Sequence, residues 1–189
     1  MTKNKPRRAD LIAQLADHVL AHGLGSASLR PLAAAVGTSD RMLLYYFPDK
    51  AALVSAVLET LAARMMTLLD VYRVSVPLLA TELHDRLQPF VLDDNAWPFM
   101  QLWLEIASLA ARGDRTCRHV GETIARGFLA WTAEQVSAPD DAVRRTDATR
   151  VLMAIEGAVL LKSLGLEDEV VAAATTSRMS RSGEADKHR

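Results

Sequence analysis

Glycine and proline cut the first fifty residues into short runs of helical period, and the brevity of those runs constrains the fold more than any other feature. From Arg7 to about His22, apolar side chains fall at Leu11, Ile12, Leu15, Ala16, Val19 and Leu20, the i, i+3, i+4 stripe of an amphipathic helix. Gly23 and Gly25 end it, since glycine tolerates a left-handed helix exit. Ser28 stands where it can cap a second helix, in which Leu29, Leu32, Ala33 and Val36 share a face and Pro31 falls in the first turn. Gly37 closes that helix. Thr38 or Ser39 then caps a third, which runs to Phe47 and stops before Pro48, because the residue preceding a proline avoids helical torsion angles. Two short helices around one glycine, behind a longer supporting helix, form a helix-turn-helix.

Helical punctuation continues to the far end of the chain. Asp49 caps a fourth helix from Lys50 to about Asp70, and Pro77 opens a segment reaching about Leu92. Asp93-Asp94-Asn95 separates it from a helix spanning about Trp97 to Ala111, and Arg112-Gly113-Asp114 is the next break. Two long helices follow, Arg115 to Val136 and about Ala142 to Leu164, with Ser137 to Asp140 between them; Gly165 stops the second and a short helix covers Glu167 to Ala174. No run alternates with strand period, so the expected class is all-α. The expected division is a helix-turn-helix head (1–49), a connecting helix (50–70), a helical ligand-binding and dimerisation domain (71–174) and a disordered polar tail (175–189).

Composition narrows the chemistry. A chain of 189 residues that is 50% hydrophobic can bury a substantial core. Residues 1–50 carry seven Lys/Arg against four acids, whereas the remainder carries 15 basic against 19 acidic residues, so a basic head sits on an acidic body. The single cysteine, Cys117, rules out an intramolecular disulfide and any CxxC site, and its spacing to His119 is weak for a metal. No histidine has a glutamate three residues before it, and His-Glu-x-x-His, Gly-x-Ser-x-Gly and a phosphate-binding Gly-Lys loop are all missing. Neither catalytic residues nor a metal or cofactor is expected. Asp10, Gln14, Asp17 and His18 interrupt the N-terminal apolar residues, and Glu156 and Lys162 interrupt Val151 to Leu166, so neither stretch reads as a leader or membrane span and a cytoplasmic location is expected.

The third helix has two chemically distinct sides. Met42, Leu43 and Phe47 suit an inward face, while Ser39, Asp40, Arg41, Tyr45 and Tyr46 offer polar and aromatic groups outward. The stretch Ser28-Leu29-Arg30-Pro31-Leu32-Ala33-Ala34-Ala35-Val36-Gly37-Thr38-Ser39, followed by Leu43-Leu44-Tyr45-Tyr46-Phe47-Pro48-Asp49-Lys50-Ala51-Ala52-Leu53, resembles the signature of the TetR family of transcriptional regulators over roughly residues 9–55. The resemblance implies a double-stranded DNA operator as partner, with Thr38, Ser39, Asp40, Arg41 and Met42 at base-facing positions and Tyr45 and Lys50 on phosphates. Tyr46 and Ser28 are assigned to phosphates as well. Arg41 replaces a small residue common in the family and Tyr46 replaces a common histidine; Arg41 can pair with a guanine, hold a phosphate or pair with Asp40. Tyr45 is expected outward and Tyr46 partly packed. Lys50 at a helix N-terminus opposes the macrodipole unless an anion lies nearby. Lys3, Lys5, Arg7 and Arg8 either track the DNA backbone or solubilise the terminus.

For the remainder, the resemblance implies a small-molecule effector and a homodimer. Trp97, Met100, Trp103, Phe128, Trp131 and Met153, together with Phe99, are candidates for an apolar pocket, with Glu105, and less distinctively His84, His119 and Glu156, as polar anchors. The same aromatics equally suit a plain core. Ala154, Gly157, Ala158 and Leu161 present small and apolar surface at i, i+3, i+4 and i+7 on a long late helix, as a dimer interface requires. The resulting expectation is a ligand-responsive repressor that binds a palindromic operator as a homodimer and is released by a small, largely apolar effector. The alternatives are a helical-bundle enzyme or a protein-interaction module.

Overall fold

A computed structural model describes residues 5–173. Its helices are α1 (Lys5–His22), α2 (Leu29–Ala35), α3 (Asp40–Tyr46), α4 (Lys50–Leu69), α5 (Ala80–Leu92), α6 (Trp97–Ala111), α7 (Arg115–Gln135) and α8 (Asp141–Ser163), with a last helix, α9, at 167–173. Single 3-10 turns occupy Leu24–Ser26 and Asp70–Tyr72. One isolated parallel bridge pairs Leu78 with Val136. The tail expected to be disordered at 175–189 lies outside the described residues.

The chain forms two compact units that do not follow its order. Of the described residues, the first comprises 5–71 and 95–127 and the second 72–94 and 128–173. In the first, the apolar stripe of α1 (Leu15, Ala16, Val19) packs with Leu32 and Ala33 of α2, Leu43 of α3 and Leu53, Val57, Leu58 and Leu61 of α4. Leu102 and Ile106 of α6, and Cys117 and Val120 of α7, complete that core. By length and composition alone α4, extended to Tyr72, would suffice to cross a membrane, and it is a better candidate than Val151 to Leu166. Leu53, Val57, Leu58, Leu61 and Leu69 form the buried row of α4, and α1 packs along that helix.

In the second unit α5 packs along α8. Leu83, Leu87, Phe90 and Val91 of α5 and Ala148, Val151, Ile155, Ala158 and Val159 of α8 are buried. Trp131, Thr132 and Gln135 on the last turns of α7 are buried as well. Asp140 starts α8 by accepting the Ala142 and Val143 N–H groups, both at 2.8 Å. Lys162, near the end of α8, donates to the Leu92 carbonyl at 2.6 Å and pairs with Glu167 at 3.2 Å.

Candidate nucleic-acid interface

Local hydrogen bonds set the turn between α2 and α3. Val36 leaves the helical conformation, Gly37 adopts φ +64°, and Thr38 N–H reaches back to the Ala33 carbonyl at 2.9 Å. A left-handed residue at the end of a helix strongly favours glycine, which explains why a single glycine suffices there. Of the two capping candidates it is Ser39 that caps α3, its Oγ accepting the Met42 N–H at 3.3 Å. Ser28 holds the capping position of α2, but its hydroxyl makes no capping bond; the expectation that its side chain starts the helix is corrected. Asp49 caps α4 through Ala52 N–H at 2.8 Å.

Leu43 is fully buried and orients α3. At about 100° per residue, Arg41 and Tyr45 fall opposite Leu43, while Met42 and Leu44 lie on the two flanks. The exposures agree: Tyr45 is 69% exposed, Leu44 44% and Met42 41%, and Arg41 is exposed as well. Met42 therefore does not belong to the inward face with Leu43 and Phe47, because one helical step from Leu43 carries it out of the core. Tyr46 is half-buried against the core and its ring meets that of Tyr45 edge-on at 5.3 Å. Ser39 and Lys50 are exposed; Ser28, Thr38 and Asp40 are half-buried.

Charge around α3 is arranged asymmetrically. Asp40 pairs with Arg30 of α2 at 4.0 Å, and Arg30 is 93% exposed. Arg41, by contrast, makes no ion pair among the described residues, so of its three possible roles pairing with Asp40 is removed. Arg8 lies over the Phe47 ring at 4.8 Å, bracing the end of α3. Lys50 is close enough to Asp114 to add a minor Coulombic contribution to holding that carboxyl below its ordinary range. The main cause there is the Cys117 backbone N–H, which donates to Asp114 Oδ1 at 2.8 Å. Burial, reinforced by Asp114, pushes the Cys117 thiol up to about 11, which keeps it protonated and inert.

Other assignments move. Glu105 of α6 accepts the Leu24 N–H at 2.7 Å, and its Oε1 lies so near Gly23 that a Cβ there would approach to 2.5 Å. This carboxylate thus secures the turn after α1, where Gly23 has φ +74°, and is not a free anchor for an effector. Met153 is 68% exposed and lines no interior: it stands two residues, about 200°, from the buried Val151. Ala158, offered as interface, is buried within its own unit, whereas Ala154 and Leu161 are exposed and Gly157 is half-exposed. Of the remaining pocket candidates, Trp97, Met100 and Trp103 belong to the first unit and Phe128 and Trp131 to the second. Phe128 and Trp131 stack at 6.4 Å, with Arg73 at 5.8 Å from the Trp131 ring. Nothing in residue type flagged Gln88 and Thr132, yet both are buried, and Gln88 Oε1 and Thr132 Oγ1 lack hydrogen-bond partners. No cluster of three potential metal ligands occurs among the described residues.

A seven-residue helix capped by a serine, aimed outward behind a glycine turn and carrying an exposed Arg41 that makes no ion pair among the described residues, has the geometry of a helix-turn-helix. Residues 12–57, the segment that holds the helix-turn-helix, match the model for bacterial regulatory proteins of the tetR family. Two solved structures extend the likeness beyond the head. A transcriptional regulator from Rhodococcus sp. Rha1 is similar at 19% identity and TM-score 0.66 over 89% of this chain and 91% of that one. GusR of Salmonella enterica is similar at 20% identity and TM-score 0.65 over 97% of each. At such identities the structural likeness speaks to the fold. No curated protein is similar enough in sequence to be matched.

Proposed function

We propose that this regulator is a ligand-responsive repressor that binds a palindromic operator as a homodimer and is released by a small, largely apolar effector. The observation that carries the DNA part is the outward side of α3, where Arg41 and Tyr45 stand opposite Leu43 and the nearest acid, Asp40, is directed to Arg30. In this reading Thr38, Ser39, Asp40, Arg41 and Met42 face bases, while Tyr45, Tyr46, Lys50 and Ser28 serve phosphates. Residues 1–49 read DNA, 50–70 connect, and 71–174 carry the effector and dimer functions.

Dimerisation is supported by the outer side of α8, where Met153, Leu160 and Leu161, with Leu164 just past its end, are exposed and Ala154 and Gly157 permit close approach. One short helix buries too little surface for tight specific binding, and a two-fold operator mirrors a two-fold protein. An effector site is supported by the second unit, whose interior holds two unsatisfied polar atoms near aromatic sequence positions, the composition expected of a small-molecule site. Release follows if the effector prefers the form in which the two reading heads do not match the groove spacing; its leverage equals its differential affinity.

The test is to pass sheared genomic duplex over the purified full chain and identify what is retained. Two-fold symmetric fragments, recovered by a species that sediments as a dimer, are expected. Indifferent retention of all fragments, or a monomer at micromolar concentration, would count against the proposal.

A further inference from the structure

We propose that Met42 reads a thymine methyl beside a guanine held by Arg41, so that each operator half-site carries a thymine within about two base pairs of that guanine. This rests on the DNA-binding reading above and specifies which duplex chemistry the site selects.

Among the exposed positions of α3, Arg41 and Tyr45 occupy the outward pole, and the flanks are both apolar: Met42 on one side and Leu44 on the other. The major-groove edge of a base pair offers hydrogen-bond donors and acceptors and a single apolar group, the C5 methyl of thymine. A large apolar side chain carried into the groove therefore has one matching base partner. Recognition helices reach base edges chiefly with their N-terminal residues. Met42 is the third residue of α3, one step from Arg41, whereas Leu44 lies half a turn later on the opposite flank. Arg41 and Met42 differ by about 1.5 Å along the helix axis, against about 3.4 Å between base pairs, so their targets are close neighbours. Asp40 would compete for Arg41, but Arg30 engages it at 4.0 Å, which leaves the guanidinium fork available for guanine O6 and N7.

The experiment begins with selection of random duplexes on the full-length protein, then measures Kd by anisotropy at one fixed salt concentration. Each thymine of the selected half-site is replaced singly by deoxyuridine, which lacks only the methyl, and each guanine by 7-deazaguanine, which lacks N7. One deoxyuridine position near a 7-deazaguanine-sensitive guanine is expected to weaken wild-type binding about fourfold, the worth of one buried methyl. Met42→Ala should abolish that sensitivity and Leu44→Ala should leave it intact; Arg41→Ala should abolish the response to 7-deazaguanine. The proposal is overturned if no thymine responds, if the response survives Met42→Ala, or if Leu44→Ala removes it instead. Failure to enrich any duplex would reject DNA recognition itself, a different outcome from enrichment without methyl dependence.

Discussion

The interiors of the two units differ in kind. Among the described residues, every fully buried side chain in the first is apolar, from Leu15 on α1 to Val120 on α7, whereas the buried polar residues Gln88, Thr132 and Gln135 all lie in the second. Gln88 Nε2 donates to the Val170 carbonyl at 3.1 Å, and Gln135 both accepts from Val74 N–H at 2.9 Å and donates to the Trp131 carbonyl at 3.3 Å. Buried polar atoms without a hydrogen-bond partner occur in both units: His18 Nε2 of α1 in the first, Thr132 Oγ1 and Gln88 Oε1 in the second. An apolar interior favours one rigid arrangement, which suits a unit that must present α3 at a fixed angle. A buried polar side chain has to be hydrogen-bonded in one defined arrangement, so it weakens a fold wherever an atom is left unsatisfied. The contrast thus lies in the fully buried side chains, which are apolar in the first unit and include polar ones in the second.

The largest effect is expected where the first interior is deepest. Phe47→Ala removes a 1%-exposed ring behind α3 and should cost about 3–5 kcal/mol by chemical denaturation; a loss under about 1 kcal/mol would show that the first unit is loosely packed. Next is Glu105→Ala, which strands the part-buried Leu24 N–H and should cost about 1–3 kcal/mol. Glu105→Gln, whose amide oxygen still accepts, should recover most of it. Asp114→Ala removes the cap of α7 and should cost about 1 kcal/mol at neutral pH. Because folding lowers this carboxyl below its ordinary 3.8, its stabilisation is complete above that value and is lost as pH falls through the lowered one. Stability curves of wild type and Asp114→Ala should accordingly converge at strongly acidic pH; a gap that widened on acidification would contradict the sign. The smallest effect is predicted for Thr132→Val, which replaces an unsatisfied buried hydroxyl by a methyl and should leave stability unchanged or raise it by up to about 1 kcal/mol. A clear loss would mean that the second unit's interior is an ordinary satisfied core.

Much of this arrangement was legible in the residues. The bounds of α6, the Gly37 turn, the Asp49 cap and the stop before Pro48 all depend on local chemistry that one or two side chains specify. Faces were harder to read where a helix is apolar on two sides. On α8 an inward row (Val151, Ile155, Val159) and an outward row (Met153, Leu160) coexist, and periodicity cannot say which is which, so that Met153 is exposed and Ala158 buried is visible only in the packed structure. Glu105 illustrates another limit. Its partner is 81 residues away in sequence, and only the packing of α6 with α1 brings the Gly23 turn within its reach. The same holds for Gln88 and Thr132, whose interest lies in partners they lack.

The account turns on α3 lying in a duplex groove with Lys50 and Tyr45 against the phosphates. Its most direct test is the dependence of log K on log salt for a selected duplex, measured for wild type and Lys50→Ala. Wild type should show a steep negative slope, and Lys50→Ala should bind more weakly to every sequence with the slope reduced by about one. A wild-type affinity indifferent to salt, or an unchanged slope for Lys50→Ala, would contradict the assignment.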